Sequence, residues 1–370
     1  MECLSRDAFP PDAPARRAGR PGRPDGPDGP GGPAGFDVVV LGEVLVEFHA
    51  DAPLGRARPA TLSFSGDALN AAAAAAAAGA RTALLTAVGD DELGDALLAD
   101  AAKLGVDTSL VRRDARPNGA YLLTSDIAGH REFVYWRSGS AASTLSPDDV
   151  DAARDALSAA GALVTSGITG ALSATARDAV RAAARLVRES GGAVIYDPNF
   201  RRRLTDAEAA RALLAEVAPL ATLLTPSCPG DTGPLLGTDD PDEAAGRCQS
   251  LGAAWVAVTA GAGPVVVRRA GRAWPLPVPP NPDPVDATGA GDVLVGTTAA
   301  RLALGDRPDR ALETGVAAAS LSVSGTGGTG HVPRLEESQA LAGGGPLPDR
   351  GTGTGGRADV AGYPTRGGTP

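Results

Sequence analysis

Short, mostly apolar runs recur along this chain, separated by longer stretches with helical periodicity, and this alternation limits what it can fold into. FDVVVLGEVLVEF (36–48), TALLTAVG (82–89), GALVTSG (161–167), GAVIYDPN (192–199), ATLLTPS (221–227) and AWVAVTAG (254–261) are rich in β-branched residues. None shows the regular polar alternation of a half-solvated strand, so each must be covered on both faces. The helical stretches supply that cover. An Ala-rich helix opens at Asn70 and stops at Gly79; others are DELGDALLADAAKLG (91–105), SATARDAVRAAARLVRESGG (173–192) and EAARALLAEVAPL (208–220). The expected fold is α/β, a doubly wound, mostly parallel sheet with helices on both faces.

Two segments break the rhythm, at about 43–64 and 117–137. In the second, NGAYLLTSDIAGHREFVYWR reads as two strands joined by the turn-like Ile127-Ala128-Gly129-His130. A β hairpin inserted into an α/β core is expected to form a small β-sheet lid. The ends differ again. Residues 1–35 and 341–370 are so rich in Pro and Gly that they read as disordered extensions, leaving 36–335 as the folded domain.

Charge and cysteine content exclude several classes of function. With 34 Lys+Arg against 44 Asp+Glu the formal net charge is −10, the wrong sign for a general nucleic-acid binder. Cys3, Cys228 and Cys248 are sparse, odd in number and without C-x-x-C spacing, so neither a disulfide framework nor a zinc site is expected. His49, His130 and His331 are scattered, which argues against a histidine metal site. No apolar run reaches the roughly 18 residues that span a bilayer. The first residues lack the apolar core of a secretory signal. A soluble, cytoplasmic protein without membrane or nucleic-acid partners is expected.

Val285-Asp286-Ala287-Thr288-Gly289-Ala290-Gly291-Asp292 is the sharpest chemical signal. It follows a Pro-rich loop and precedes a helical stretch. Glycines ahead of a helix leave backbone N–H groups free to face an anion, and the helix dipole adds to the attraction. An aspartate in the first turn then sits beside the anion, able to take a proton from an attacking hydroxyl. Phosphoryl transfer needs little beyond positioning, charge stabilisation and such a base. A Gly-rich helix start with an ordinary Asp cap would have the same spacing. There is no G-x-x-x-x-G-K-[ST] loop, and Gly289, Gly291 and Gly296 do not fit G-x-G-x-x-G, so Walker and dinucleotide sites are disfavoured.

This D-A-T-G-A-G-D run resembles the C-terminal signature of the PfkB (ribokinase-like) carbohydrate kinases. Ser65-Gly66-Asp67-Ala68-Leu69-Asn70 resembles that family's G-G-D-x-x-N sugar-binding turn, with similar spacing from Leu41-Gly42-Glu43. TAVGDDELGDALLADAAKLGVDTSLV is similar to a third family segment, and the resemblance spans roughly 36–335. It implies a ribokinase-like fold, ATP and Mg2+ as cofactors, Asp292 as catalytic base, and an anion hole of Gly289, Ala290 and Gly291 amides. By the same resemblance Gly66, Asp67 and Asn70 bind the sugar, and the lid closes over it to exclude water.

Within the family, Phe133 to Arg137 followed by Ser138-Gly139-Ser140-Ala141-Ala142 is similar to the Y-Y-R-x-x-S-A segment of 2-keto-3-deoxygluconate kinases. The resemblance implies that Tyr135, Arg137 and Tyr121 hold a sugar acid; an Arg fork suits a carboxylate. A hydrophobic hairpin face packed on the core would also cluster these aromatics. Asp197-Pro198-Asn199-Phe200-Arg201 resembles the family's D-x-N-x-R, making Arg201 a candidate for substrate carboxylate or nucleotide phosphate. Ser166-Gly167-Ile168-Thr169 is similar to a subfamily loop and receives no role.

Three positions depart from the family pattern. Ser227-Cys228-Pro229-Gly230-Asp231 stands where N-x-x-E or S-x-x-E is usual, so the glutamate is missing and Asp231 comes one position late. Thr259-Ala260-Gly261-Ala262-Gly263 keeps the Thr and first Gly of V-T-x-G-x-x-G but shifts the second. Gly315 or a neighbour stands where an Asn beside the adenine is frequent. Ser227, Thr259, Gly261 and Gly263 remain the candidate nucleotide contacts, and no metal ligand is assigned. The expected activity is phosphorylation of a primary hydroxyl of 2-keto-3-deoxygluconate. A kinase of a neutral sugar such as fructose or ribose, or of a nucleoside, and a catalytically weak sugar- or nucleotide-binding homologue are the alternatives. Exposed lid strands are expected to allow a homo-oligomer by pairing edge to edge.

Overall fold

The computed structural model describes residues 35–50, 59–125 and 131–343. The extension 1–34, the turn Ile127–His130 and residues 344–370 lie outside the described residues. In chain order the strands are β1 (Val38–Leu41), β2 (Leu45–Ala50), β3 (Thr61–Ser65), β4 (Thr82–Gly89), β5 (Val106–Asp107), β6 (Val111–Asp114) and β7 (Gly119–Ser125). They continue with β8 (Arg131–Trp136), β9 (Ala162–Ser166), β10 (Ala193–Asp197), β11 (Leu223–Leu224), β12 (Trp255–Ala260), β13 (Gly263–Arg269) and β14 (Arg272–Leu276).

Ten of these strands form the core sheet, in the order β14-β13-β12-β11-β10-β9-β1-β4-β5, with β6 also paired to β4. Every pairing from β5 and β6 across to β12 is parallel, and the β12-β13-β14 edge is antiparallel. Apart from the second half of the first, the apolar runs predicted as strands lie in the parallel part. FDVVVLGEVLVEF is two strands rather than one, because the chain leaves the core sheet after Leu41 and enters the lid at Leu45. Successive residues of β1 serve opposite faces. Val38 and Val40 join a core with the helices Asp67–Ala77 and Ala290–Ala303, whereas Val39 and Leu41 join one with the helix Ala174–Glu189. The strand order reverses about β1, and in such sheets a ligand crevice opens at the strands' C-terminal ends.

The alanines after Asn70 follow from close helix packing. Helix 290–303 crosses helix 67–77 so tightly that a Cβ on Gly296 would lie 2.0 Å from the Ala71 carbonyl oxygen. A Cβ on Gly315, in the helix Pro308–Ser322, would lie 2.1 Å from Thr298 Oγ1. Gly315 is thus a helix–helix contact, and it does not line the cleft described below. Helix 67–77 starts three residues before the expected Asn70, because Gly66 at φ +114° turns the chain out of β3. At the other end the helix Leu335–Ala342 takes in Leu341 and Ala342, two residues assigned above to the tail. Its first turn is capped by Glu337, which accepts from the Arg334 N–H at 2.9 Å.

The segments that broke the rhythm form a separate four-stranded sheet, β3-β2-β7-β8, in which β2 and β7 run parallel. Gly296→Ala is expected to lower stability by about 2–3 kcal/mol, because the added methyl meets backbone rather than a side chain that can swing away. A fall in the urea midpoint without change in m checks this.

Candidate active site

The Pro-rich loop before helix 290–303 is anchored from the far side of the fold. The Val285 and Asp286 amides both donate to the Val323 carbonyl, at 2.7 and 2.9 Å. Asp286 is buried; its carboxylate accepts from Thr288 N at 2.8 Å and Gly327 N at 2.9 Å, tying the turn to the glycine loop 324–330. Gly289 begins the helix at φ +78°, and no side chain caps it. A Cβ there would come within 2.9 Å of Gly328 Cα and 3.1 Å of Asn70 Nδ2. The first helical N–H groups are the ones a helix leaves without internal partners, and here they open on the cleft.

Asp292 stands in that first turn, its Oδ2 accepting from Asn70 Nδ2 at 2.9 Å. Burial pushes its carboxyl up to about 7, with the Asp67 charge adding and the Asn70 hydrogen bond and Arg201 opposing. Asp67 receives a hydrogen bond from Ser166 Oγ, yet burial still raises its carboxyl. Asp197, at the C-terminal end of β10, is raised well above the usual carboxylate range. Burial is the main cause, the Asp231 and Asp292 charges add, and Arg201 and the Asn199 N–H at 3.0 Å oppose. The cleft floor thus carries three half-buried carboxyls, Asp67, Asp197 and Asp292.

The lid forms the roof. Tyr121, Phe133 and Tyr135 pack as one aromatic cluster with ring centroids 5.8 to 6.0 Å apart. The Tyr121 hydroxyl donates to the buried Glu47. The Arg137 guanidinium lies 5.5 Å over the Tyr135 ring and donates to Glu43, which is 0% exposed and also accepts from Ser140 Oγ at 3.0 Å. Burial raises the Glu43 carboxyl, and the Arg137 charge and the Ser140 hydroxyl oppose it. Arg137 Nε is buried with no partner among the described residues.

Between floor and roof lies a cleft of about 1270 Å³. Of the residues singled out from sequence, Gly66, Asp67, Asn70, Tyr121, Tyr135, Arg137, Arg201, Ser227, Thr259, Gly289, Gly291 and Asp292 line it. Ala290, Gly261 and Gly263 do not; Gly261 turns the β12–β13 hairpin at φ +59° beside Thr259. Asp231 is no surface stand-in for the missing glutamate. It is 2% exposed and accepts from Phe200 N at 2.6 Å, Ser227 N at 2.7 Å and Ser227 Oγ at 2.7 Å, binding the ends of β10 and β11 together. Sequence reasoning missed Glu43 and Glu47 as functional neighbours. Their signal was present as two carboxylates, four residues apart, inside an otherwise apolar run. Among the described residues, no group of three or more His, Cys, Asp or Glu side chains is placed to hold a metal ion by itself.

Comparison with known proteins agrees with this geometry. Residues 36–335 match the pfkB family carbohydrate kinase description. A 2-dehydro-3-deoxygluconokinase of Thermoproteus tenax is 34% identical over 313 residues, covering 82% of this chain and 93% of that protein. A Bacillus subtilis protein of the same name is 33% identical over 231 residues, 61% of this chain and 70% of that one. Among solved structures, a PfkB protein from Polaromonas sp. JS666 aligns with a TM-score of 0.73 at 28% identity, over 82% of this chain and 99% of that chain. An E. coli protein provisionally named ribokinase II, in complex with ATP and Mg2+, aligns with a TM-score of 0.73 at 26% identity, over 82% and 98% of the two chains.

Removing Glu43 would strand the Arg137 charge in a site where its side chain is 9% exposed. Glu43→Ala is therefore expected to cost about 3–5 kcal/mol in urea unfolding, and Glu43→Ala/Arg137→Met to recover much of that loss.

Proposed function

Because the chain belongs to the pfkB family of carbohydrate kinases, and so is a phosphotransferase acting on a sugar, we propose that it phosphorylates a primary hydroxyl of a sugar acid. The acceptor proposed is 2-keto-3-deoxygluconate, giving its 6-phosphate at the expense of ATP. The observation that carries this reading is Asp292, poised by Asn70 at an uncapped helix N-terminus inside a cleft roofed by Tyr121, Tyr135 and Arg137.

Asp292 takes the proton of the attacking hydroxyl. A carboxylate near neutral pKa accepts a proton far more readily than a surface aspartate does. The Gly289 and Gly291 amides at the cleft stabilise charge on the phosphoryl group through fixed dipoles; Ala290, the third amide of the expected anion hole, lies outside the cleft lining, with its N–H 3.3 Å from the Ala287 carbonyl. Gly66, Asp67 and Asn70 hold sugar hydroxyls. Tyr121, Tyr135, Arg137 and Arg201 orient the rest of the acceptor, with Arg137 Nε a donor that has no partner among the described residues. Ser227 and Thr259, joined as a bridge between neighbouring strand ends, lie on the nucleotide side, with Gly261 and Gly263 in the adjoining turn. Mg2+, when bound with the nucleotide, would neutralise phosphate charge.

A neutral sugar as acceptor is favoured by one observation, that the Arg137 charge is already matched by Glu43. Coupled ADP release with ATP-Mg2+ against 2-keto-3-deoxygluconate, gluconate, fructose and ribose decides between the two. Turnover confined to the keto-deoxy acid supports the sugar-acid reading, and turnover on fructose or ribose overturns it.

The second partner proposed is another copy of this chain. Leu62, Phe48, Leu122 and Val134 register as one apolar row across the lid, and Leu62, Val134 and nearby Trp136 are 45%, 38% and 56% exposed. Sedimentation should show an oligomer that Trp136→Glu dissociates. No helix among the described residues is long and apolar enough to cross a membrane. A cytoplasmic setting, where ATP is available, is part of the same reading.

Asp292→Asn is expected to lower kcat at least 1000-fold while sugar binding persists. The wild-type kcat/KM should rise with pH through about 7, as Asp292 ionises. The stability sign is opposite. A carboxyl whose folded pKa exceeds its unfolded value favours the folded state only when protonated, so it destabilises the fold increasingly from about pH 4 to 7. Asp292→Asn should therefore raise the melting temperature at pH 8 and leave it little changed at pH 4.

A further inference from the structure

Glu47 has no part in the roles assigned above, yet it lies where the lid meets the glycine loop beside the phosphate site. It lies on β2, is 3% exposed, and accepts the Tyr121 hydroxyl. Its other neighbour is the glycine loop. A Cβ on Gly327 would come within 3.0 Å of Glu47 Oε1 and 3.3 Å of Oε2, so the carboxylate is seated directly on the Gly327 backbone. Gly327 holds φ +74° and gives its N–H to Asp286, whose other oxygen holds Thr288 N at the start of the anion-hole turn. The next residue, Gly328, packs on Asn70 and Gly289, and Thr329 Oγ1 donates to the Phe64 carbonyl of β3 at 3.2 Å.

The loop is therefore gripped by the lid on one side and grips the anion-hole turn on the other. We propose that Glu47 is a positioning residue which joins the sugar-facing Tyr121 to the 324–330 loop, so that occupation of the sugar site and the geometry of the anion hole are set together. The proposal rests on the reading of Tyr121 and Asp292 given above. Its physical content is steric and electrostatic: a carboxylate fixed by one phenol against a backbone that has no side chain to yield.

Two measurements on the full chain test it. The first needs no turnover: amide exchange of segment 324–330. Gly327 N–H is buried against Asp286, and Glu47→Ala should speed exchange in this segment at least 10-fold. Tyr121→Phe should speed it several-fold through Glu47, whose carboxylate accepts the Tyr121 hydroxyl, and Glu47→Gln should retain most of the protection. Unchanged exchange in both Glu47→Ala and Tyr121→Phe overturns the proposal. The second is steady-state kinetics with the best acceptor of the four-sugar panel. Loss of the linkage should lower kcat 10- to 100-fold as well as raise the acceptor KM, with Glu47→Gln recovering kcat to within about 3-fold. A rise in acceptor KM with kcat intact means Glu47 serves the lid alone and overturns it. Asp292→Asn separates the two failures. If that variant still turns over, the site reading itself is wrong; if it is inactive and the Glu47 variants keep their kcat, only the present inference falls.

Discussion

The hydrogen bond from Asn70 to Asp292 joins positions 222 residues apart, and much of the molecule is arranged so that it can form. One partner sits in helix 67–77, directly after β3, and the other in the first turn of helix 290–303. Both helices lie on the same face of the core sheet, and Gly296 lets their backbones touch. A buried carboxylate left without a donor is costly, and one given too many donors is too weak a base. A single amide donor, with Asp67 close by and Arg201 opposing it, leaves Asp292 between those limits.

Much of this was legible in the sequence. Apolar, β-branched runs without polar alternation have no stable place except the middle of a parallel sheet, and β4, β9, β10 and β12 lie where those runs fall. The β13–β14 edge was less readable. Its residues alternate in burial, and an antiparallel ribbon at a sheet margin leaves a weaker pattern than a strand buried on both faces. The site followed the same division. Residues whose identity is dictated by local backbone geometry, such as Gly289 and Gly66, stood out in short motifs. Residues whose role depends on partners far along the chain, such as Glu43 and Glu47, did not, because a charge in an apolar run says that it is paired without saying to what.

The departure at 227–231 shows how a local motif misleads when read by position alone. The usual glutamate position is Gly230 here, and Asp231, one residue later, folds back to accept from Ser227 and Phe200. The same carboxylate then raises Asp197 through space. What reads as a lost ligand in sequence is, in three dimensions, a brace between two strand ends.

Glu43 carries a consequence beyond its pairing with Arg137. The chain passes between core and lid at 42–44, at Gly66, at Gly119 and at 137–140, and every passage meets this residue. A Cβ on Gly66 would lie 2.6 Å from its carbonyl oxygen and one on Gly119 would lie 2.6 Å from its Oε1, while Arg137 and Ser140 hold its carboxylate. The crossings between core and lid are therefore tied together at one buried residue, while Val46 and Phe64 seat the sheet on the core and Thr329 holds the Phe64 carbonyl.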